Sequence, residues 1–284
     1  MSFAETAALG ALAGFTIFLS LPFGRLTSLS ARARVALAMF AVGVLAFLFV
    51  DVLEHAFEIV EDSVVAYDEG TGSLGHAIWL TLLLGGGFAL GSAGLGVFEQ
   101  RAKRGLPRPP MAGGANDYAE ASVAVPAAPA ADTRAWALRT GMTIAVAIGL
   151  HNFAEGLAIG VSAQADEIGL ATVLIIGFAL HNATEGFGIV GPLGDVRPTW
   201  RWLILAGLVG GGPTFVGSMV GYSVTSEPLE LLFYALAGGA ILYVIGEVWF
   251  AMRRVGHREL GLFLLVAGFM AGVITDMIVV YGGA

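Results

Sequence analysis

The chain of 284 residues contains no cysteine, and Asp, Glu, Lys and Arg together make up only 13% of it. Without cysteine there can be no disulfide and no thiolate to bind a metal. With so little charge an ordinary soluble core is a poor reading, since soluble domains carry about 25% charged residues. No stretch shows the strict polar–apolar alternation that a membrane barrel requires. No H-E-x-x-H pair is present, which removes the commonest zinc-hydrolase signature. The first apolar run lacks a basic segment before it, so it reads as a span rather than a cleaved signal.

What fills the chain instead is oil. Hydrophobic residues make 57% of it, and the mean hydropathy is +0.81. Uncharged stretches recur at Thr6–Gly24, Val35–Val50, Ala77–Phe98, Thr140–Ala154, Ile168–Ala183, Trp202–Ser226, Leu231–Gly246 and Leu260–Thr275. A membrane-crossing helix needs roughly 17–25 mostly apolar residues. The sequence therefore predicts an all-α membrane protein with eight transmembrane helices.

Charge placement tests that number. All 14 Lys and Arg fall in, or just inside the ends of, alternate connections. Arg25, Arg32 and Arg34 follow helix one. Arg101, Lys103, Arg104, Arg108, Arg134 and Arg139 lie between helices three and four. Arg197 and Arg201 precede helix six, and Arg253, Arg254 and Arg258 separate helices seven and eight. The other connections hold only acids: Glu61, Asp62, Asp68 and Glu69, then Asp166 and Glu167, then Glu227 and Glu230. Lys and Arg mark the cytoplasmic side, which predicts both termini outside. The net charge of −8 then describes an acidic outer face, either gathering cations at a mouth or forming a solvated rim.

The segment 107–132, rich in Pro, Ala and Gly, is predicted to be a disordered cytoplasmic linker. This gives helices one to three in 1–98, a loop over 99–136, and helices four to eight in 137–284, all within one integral membrane domain. The 41 glycines suit close helix contacts in lipid. Pro213, in the middle of helix six, predicts a bend there.

Two interruptions of the oil match: "GLHNFAEGLAIG" at 149–160 and "ALHNATEGFGIV" at 179–190. Each places His, Asn and Glu as H-N-x-x-E-G, with His and Glu four apart on one helix face. At ~1.5 Å per residue, His151 lies about 18 Å from the inner end of helix four, and His181 about 20 Å below the outer end of helix five. Both sets thus fall near mid-membrane on antiparallel neighbours. A carboxylate there costs roughly 2.5–3.5 kcal/mol on insertion scales. A divalent cation between two carboxylates, two imidazoles and two amides offsets that cost. The donor set suits Zn²⁺, Fe²⁺ or Mn²⁺. The plainer alternative is a pair of polar clusters that tie the two helices together.

The repeated H-N-x-x-E-G on the fourth and fifth helices resembles the ZIP (Zrt-/Irt-like protein) family of divalent metal transporters, and the glycine-rich character its GufA-like branch. The resemblance implies eight spans, both termini outside, a long cytoplasmic loop between helices three and four, and transport of the metal into the cytoplasm. It implies metal ligation by His151, Asn152 and Glu155 from one helix and His181, Asn182 and Glu185 from the other. Where the family usually has Pro before the Glu, this chain has Ala154 and Thr184; Gly156 and Gly186 then remain to loosen the helices. Where many members carry a Glu before the Pro of helix six, this chain has Gly212, which favours one ion over two.

Further polar residues extend the pattern. Asp51, Glu54, His55 and Glu58 share a face at the outer part of helix two, a candidate cation entrance or an acidic helix end. Asp276 lies late in helix eight. Glu247 lies toward the cytoplasm, as a release-side ligand or as a partner for Arg253 or Arg254. His76 and His257, in connections, read as surface residues, with His257 a weaker candidate at the exit. The function predicted is a secondary transporter of divalent metal, zinc first, in the cell membrane. The alternative is a membrane-embedded zinc-dependent hydrolase. The expected partners are metal ions, as substrate rather than prosthetic group, and membrane lipid; nucleic acid is not expected, and a homodimer is left open.

Overall fold

The computed structural model describes residues 1–26, 29–105, 130–165, 168–223 and 226–281. Among them every regular element is helical. In chain order these are α1 (Phe3–Phe15), α2 (Ala31–Asp68), α3 (Leu74–Ala102), α4 (Ala130–Gln164), α5 (Ile168–Val190), α6 (Trp200–Ser223), α7 (Glu227–Val255) and α8 (Arg258–Tyr281). Seven helical stretches among the described residues are long and apolar enough to cross a membrane. The remaining helix is α5, 23 residues long. The 107–132 linker expectation falls almost wholly outside the described residues, as do Asp166 and Glu167.

Local chemistry sets the helix starts. Ser2 caps α1 in a reciprocal box with Glu5, the Glu5 N–H donating to Ser2 Oγ at 3.3 Å and the Ser2 N–H to Glu5 Oε2 at 2.8 Å. Ser30 caps α2 and Ser73 caps α3, accepting from Ala33 and His76 at 3.1 and 3.2 Å. In α7, Glu227 and Glu230 sit in the first turn and Arg253 and Arg254 in the last, which complements the helix dipole at both ends.

Two elements differ from the expected runs. Beyond Phe15 the first helix tightens into 3₁₀ turns, Thr16–Leu19 and Leu21–Arg25, because Pro22 cannot supply an N–H to a continuing α-helix. The second helix is 38 residues long, about 57 Å at ~1.5 Å per residue. That is nearly twice the roughly 30 Å hydrocarbon core. The expected acidic connection Glu61–Asp68 is helical because neither Gly nor Pro intervenes before Gly70, which ends the helix at φ 74°.

The helices are held together by close backbone approach. A Cβ added at Gly149, Gly156 or Gly160 of α4 would fall 2.2, 2.2 and 2.4 Å from the carbonyl oxygens of Val209, Thr214 and Ser218 on α6. From the other side, Cβ atoms at Gly217 and Gly221 would strike Phe153 and Leu157. Small residues thus let α4 and α6 run parallel in contact, the packing that drives association in lipid. Gly156 is therefore a contact point with α6. Gly186 is likewise filled, by Ser20 Oγ at 2.3 Å from its would-be Cβ.

Basic residues gather at one end. Arg34 pairs with Asp195 at 3.1 Å, Arg134 Nη2 donates to the Arg197 carbonyl at 2.8 Å, Arg25 reaches the Pro198 carbonyl, and Arg139 the Ala102 carbonyl. The opposite end is tied by His76 to Glu227 at 3.4 Å, and by the Tyr222 hydroxyl donating to the Met1 carbonyl at 3.0 Å. The N-terminus thus lies at the acidic end of the bundle.

Candidate metal centre

His151, Asn152 and Glu155 occupy the middle of α4, and His181, Asn182 and Glu185 the second half of α5. All six are buried, none more than 7% exposed. They meet in antiparallel register. Asn152 Nδ2 donates to Glu185 Oε2 at 3.0 Å, and Asn182 Nδ2 donates to Glu155 Oε2 at 3.3 Å. Each helix therefore uses its amide to hold the other helix's carboxylate. The second Asn152 N–H goes to the Gly210 carbonyl of α6 at 3.0 Å, just before Pro213, whose missing N–H loosens this part of the helix ladder.

The reciprocal bonds leave a defined remainder. His151 Nε2 stands 3.1 Å from Glu155 Oε1 and 3.8 Å from Glu185 Oε1. Apart from that facing His151–Glu155 pair, the buried side-chain atoms without a hydrogen-bond partner among the described residues include Nδ1 of His151, both nitrogens of His181, Oδ1 of Asn152 and of Asn182, and Oε1 of Glu185. The only others are the hydroxyls of Thr214 and Tyr243. Each unmet buried group costs ~1–3 kcal/mol, and here they cluster on one motif and its copy. Because each amide nitrogen donates to the facing carboxylate, the atoms of Asn and Glu left without a partner are all oxygen acceptors. Each neutral imidazole adds a nitrogen lone pair. Oxygen and imidazole acceptors with two carboxyl groups are the donor chemistry of a divalent cation. The groups are adjacent rather than gathered: among the described residues no three His, Asp or Glu side chains converge as a ready-made metal cage.

The structure divides the accessory residues. Asp51, half-buried on α2, lies within coulombic reach of His151, Glu155 and Asp276, and His181 within that of Asp276. Glu54 and His55 are exposed; the His55 ring lies 5.7 Å from that of Tyr234 on α7, and His55 Nδ1 is 2.9 Å from the Asp51 carbonyl. Glu247, half-buried on α7, is in electrostatic reach of Glu99, Lys103 and Arg254. Two neighbours of these residues escaped the sequence reading. Glu99, 8% exposed and paired with Lys103, joins Glu247 at the basic end. The Gly210 carbonyl joins the centre. Glu99 with Lys103 four residues on was a readable helix pair, whereas a backbone acceptor leaves no trace in side-chain spacing.

A helical membrane-type bundle with a buried, oxygen-rich, doubly acidic centre defines the class. Residues 128–246 match the family described as ZIP Zinc transporter. The chain is 30% identical over 142 residues to zinc transporter ZupT of Clostridium perfringens, covering 47% of this chain and 48% of that protein. It is 33% identical over 143 residues to zinc transporter GufA of Myxococcus xanthus, covering 49% and 56%. The chain thus spans about half the length of the curated relatives it matches. The matching segment, residues 128–246, includes both H-N-x-x-E-G motifs.

Proposed function

We propose that this protein is a secondary transporter that moves divalent metal, zinc first and Fe²⁺ or Mn²⁺ by the same donor chemistry, across a membrane into the cytoplasm. All eight helices cross the bilayer, α5 included, and the basic end faces inward with both termini outside. His151, Asn152, Glu155, His181, Asn182 and Glu185 hold the ion at mid-depth. Asp51 and Asp276 guide it from the acidic end, with Glu54 and His55 at the outer surface of that approach. Glu247, with Glu99, receives it at the basic end. The ion is exposed to each side in turn as one helix group moves against the other.

The observation that carries this reading is the reciprocal Asn–Glu pairing, which leaves free acceptors of both motifs buried side by side. A site merely tying two helices together would consume those acceptors in further hydrogen bonds. The hydrolase alternative gains nothing from the geometry or from relatives named as zinc transporters. Zinc uptake into proteoliposomes tests the proposal. Glu155→Gln and His181→Ala each should lower flux more than about tenfold, since even residues behind a metal's ligands are worth roughly 10–100-fold in affinity. Unchanged uptake in both would remove these residues from the path.

A further inference from the structure

A site unrelated to the metal lies where the basic ends of α2, α7 and α8 meet. A cavity of about 760 Å³ is lined there by Arg32, His257, Arg258, Leu262 and Phe263, with Glu259 the one carboxylate on its wall. A second, of about 180 Å³, shares His257, Arg258 and Leu262 with the first. It adds Arg253 and an apolar floor that includes Met39, Trp249 and Met252. The larger volume is that of a ligand site, roughly 300–1,000 Å³. The combination of cationic rim and hydrocarbon floor has its own chemical complement: a phosphate joined to acyl chains.

We infer that this groove binds an anionic phospholipid of the inner leaflet, its phosphate held by Arg32, Arg253 and Arg258 and its acyl chain lying along Met39, Trp249 and Leu262. Charge supports the assignment. Arg34 is spoken for by Asp195, and Arg25, Arg134 and Arg139 by backbone carbonyls. Arg32, Arg253 and Arg258 have no carboxylate partner within ion-pair distance among the described residues. The turn between α7 and α8 supports it as well. Gly256 at φ 90° and His257 at φ 57° bring the chain sharply back, so that Arg253 and Arg258 face one cavity. Left-handed backbone at a residue other than glycine is uncommon, and here it aligns two cations from successive helices. Depth agrees too: basic helix ends mark the cytoplasmic leaflet, where anionic lipids reside and juxtamembrane basic residues recognise them.

Trp249 makes the inference measurable. In vesicles containing phosphatidylglycerol brominated on its acyl chains, the fluorescence component removed by Trp249→Phe should be quenched at lower mole fraction than with brominated phosphatidylcholine. Arg32→Gln with Arg258→Gln should reduce that preference about fivefold for each arginine removed. Arg253→Gln alone, which leaves most of the basic end intact, should show a single such step. Arg32→Lys with Arg258→Lys should retain most of the preference. Equal quenching by the two lipids in the unaltered protein, or a preference untouched by the glutamine variants, would overturn the inference. So would a Trp249 that neither lipid reaches, because a protein segment would then cover the groove.

Discussion

Asn152 does more than its motif neighbours, because its two N–H groups join three helices: the carboxylate of Glu185 on α5 and the carbonyl of Gly210 on α6 both receive them. Asn152→Ala should therefore lower thermal stability in detergent by about 1–3 kcal/mol, the cost of leaving a buried acceptor unmet, and should also weaken zinc binding. Asn182→Ala, which loses only the 3.3 Å bond to Glu155, should cost less stability. Paired thermal melts with and without zinc check the order. The motif made these residues visible in the sequence, since polar groups in an apolar run stand out. Its partners were not visible: the pairing of Asn on one helix with Glu on the other depends on register between helices, which spacing within either one cannot supply.

At the level of elements, contact and propensity part company. Gly156→Ala would place a methyl 2.2 Å from the Thr214 carbonyl and must push α4 from α6, despite alanine being the better helix former by ~0.8–1.0 kcal/mol. Gly85→Ala, whose Cβ meets nothing within 4 Å, should be neutral or slightly stabilising. A fall in melting temperature for the first and none for the second is the expected outcome; equal effects would contradict the packing described. Sequence marked α4 and α6 as helices, but not that they lie in contact. Glycine serves contact, turn and flexibility alike, and the roles of Gly156 and Gly186 emerge only from what opposes them. The same applies to α2, whose hydropathy fades at Asp51 while its backbone stays helical to Asp68. Apolar runs measure the oil a helix crosses, and helices end where Gly or Pro ends them.

For the whole molecule, the alternation of basic and acidic connections was the strongest legible feature, and among the described residues the bundle gathers Arg25, Arg34, Arg134 and Arg139 at one end and ties Glu227 to His76 at the other. The absence of cysteine makes sidedness easy to measure with introduced thiols. In sealed cells, Glu69→Cys should react with a membrane-impermeant maleimide, and His257→Cys only after permeabilisation. The reverse pattern would invert the proposed orientation and with it the proposed direction of transport. The central claim is that α4 and α5 together hold one divalent cation midway through the bilayer. Anomalous scattering at the zinc edge, from crystals grown with zinc, tests it most directly. The account predicts a peak flanked by His151, Glu155, His181 and Glu185; zinc bound elsewhere, with none between these two helices, would contradict it.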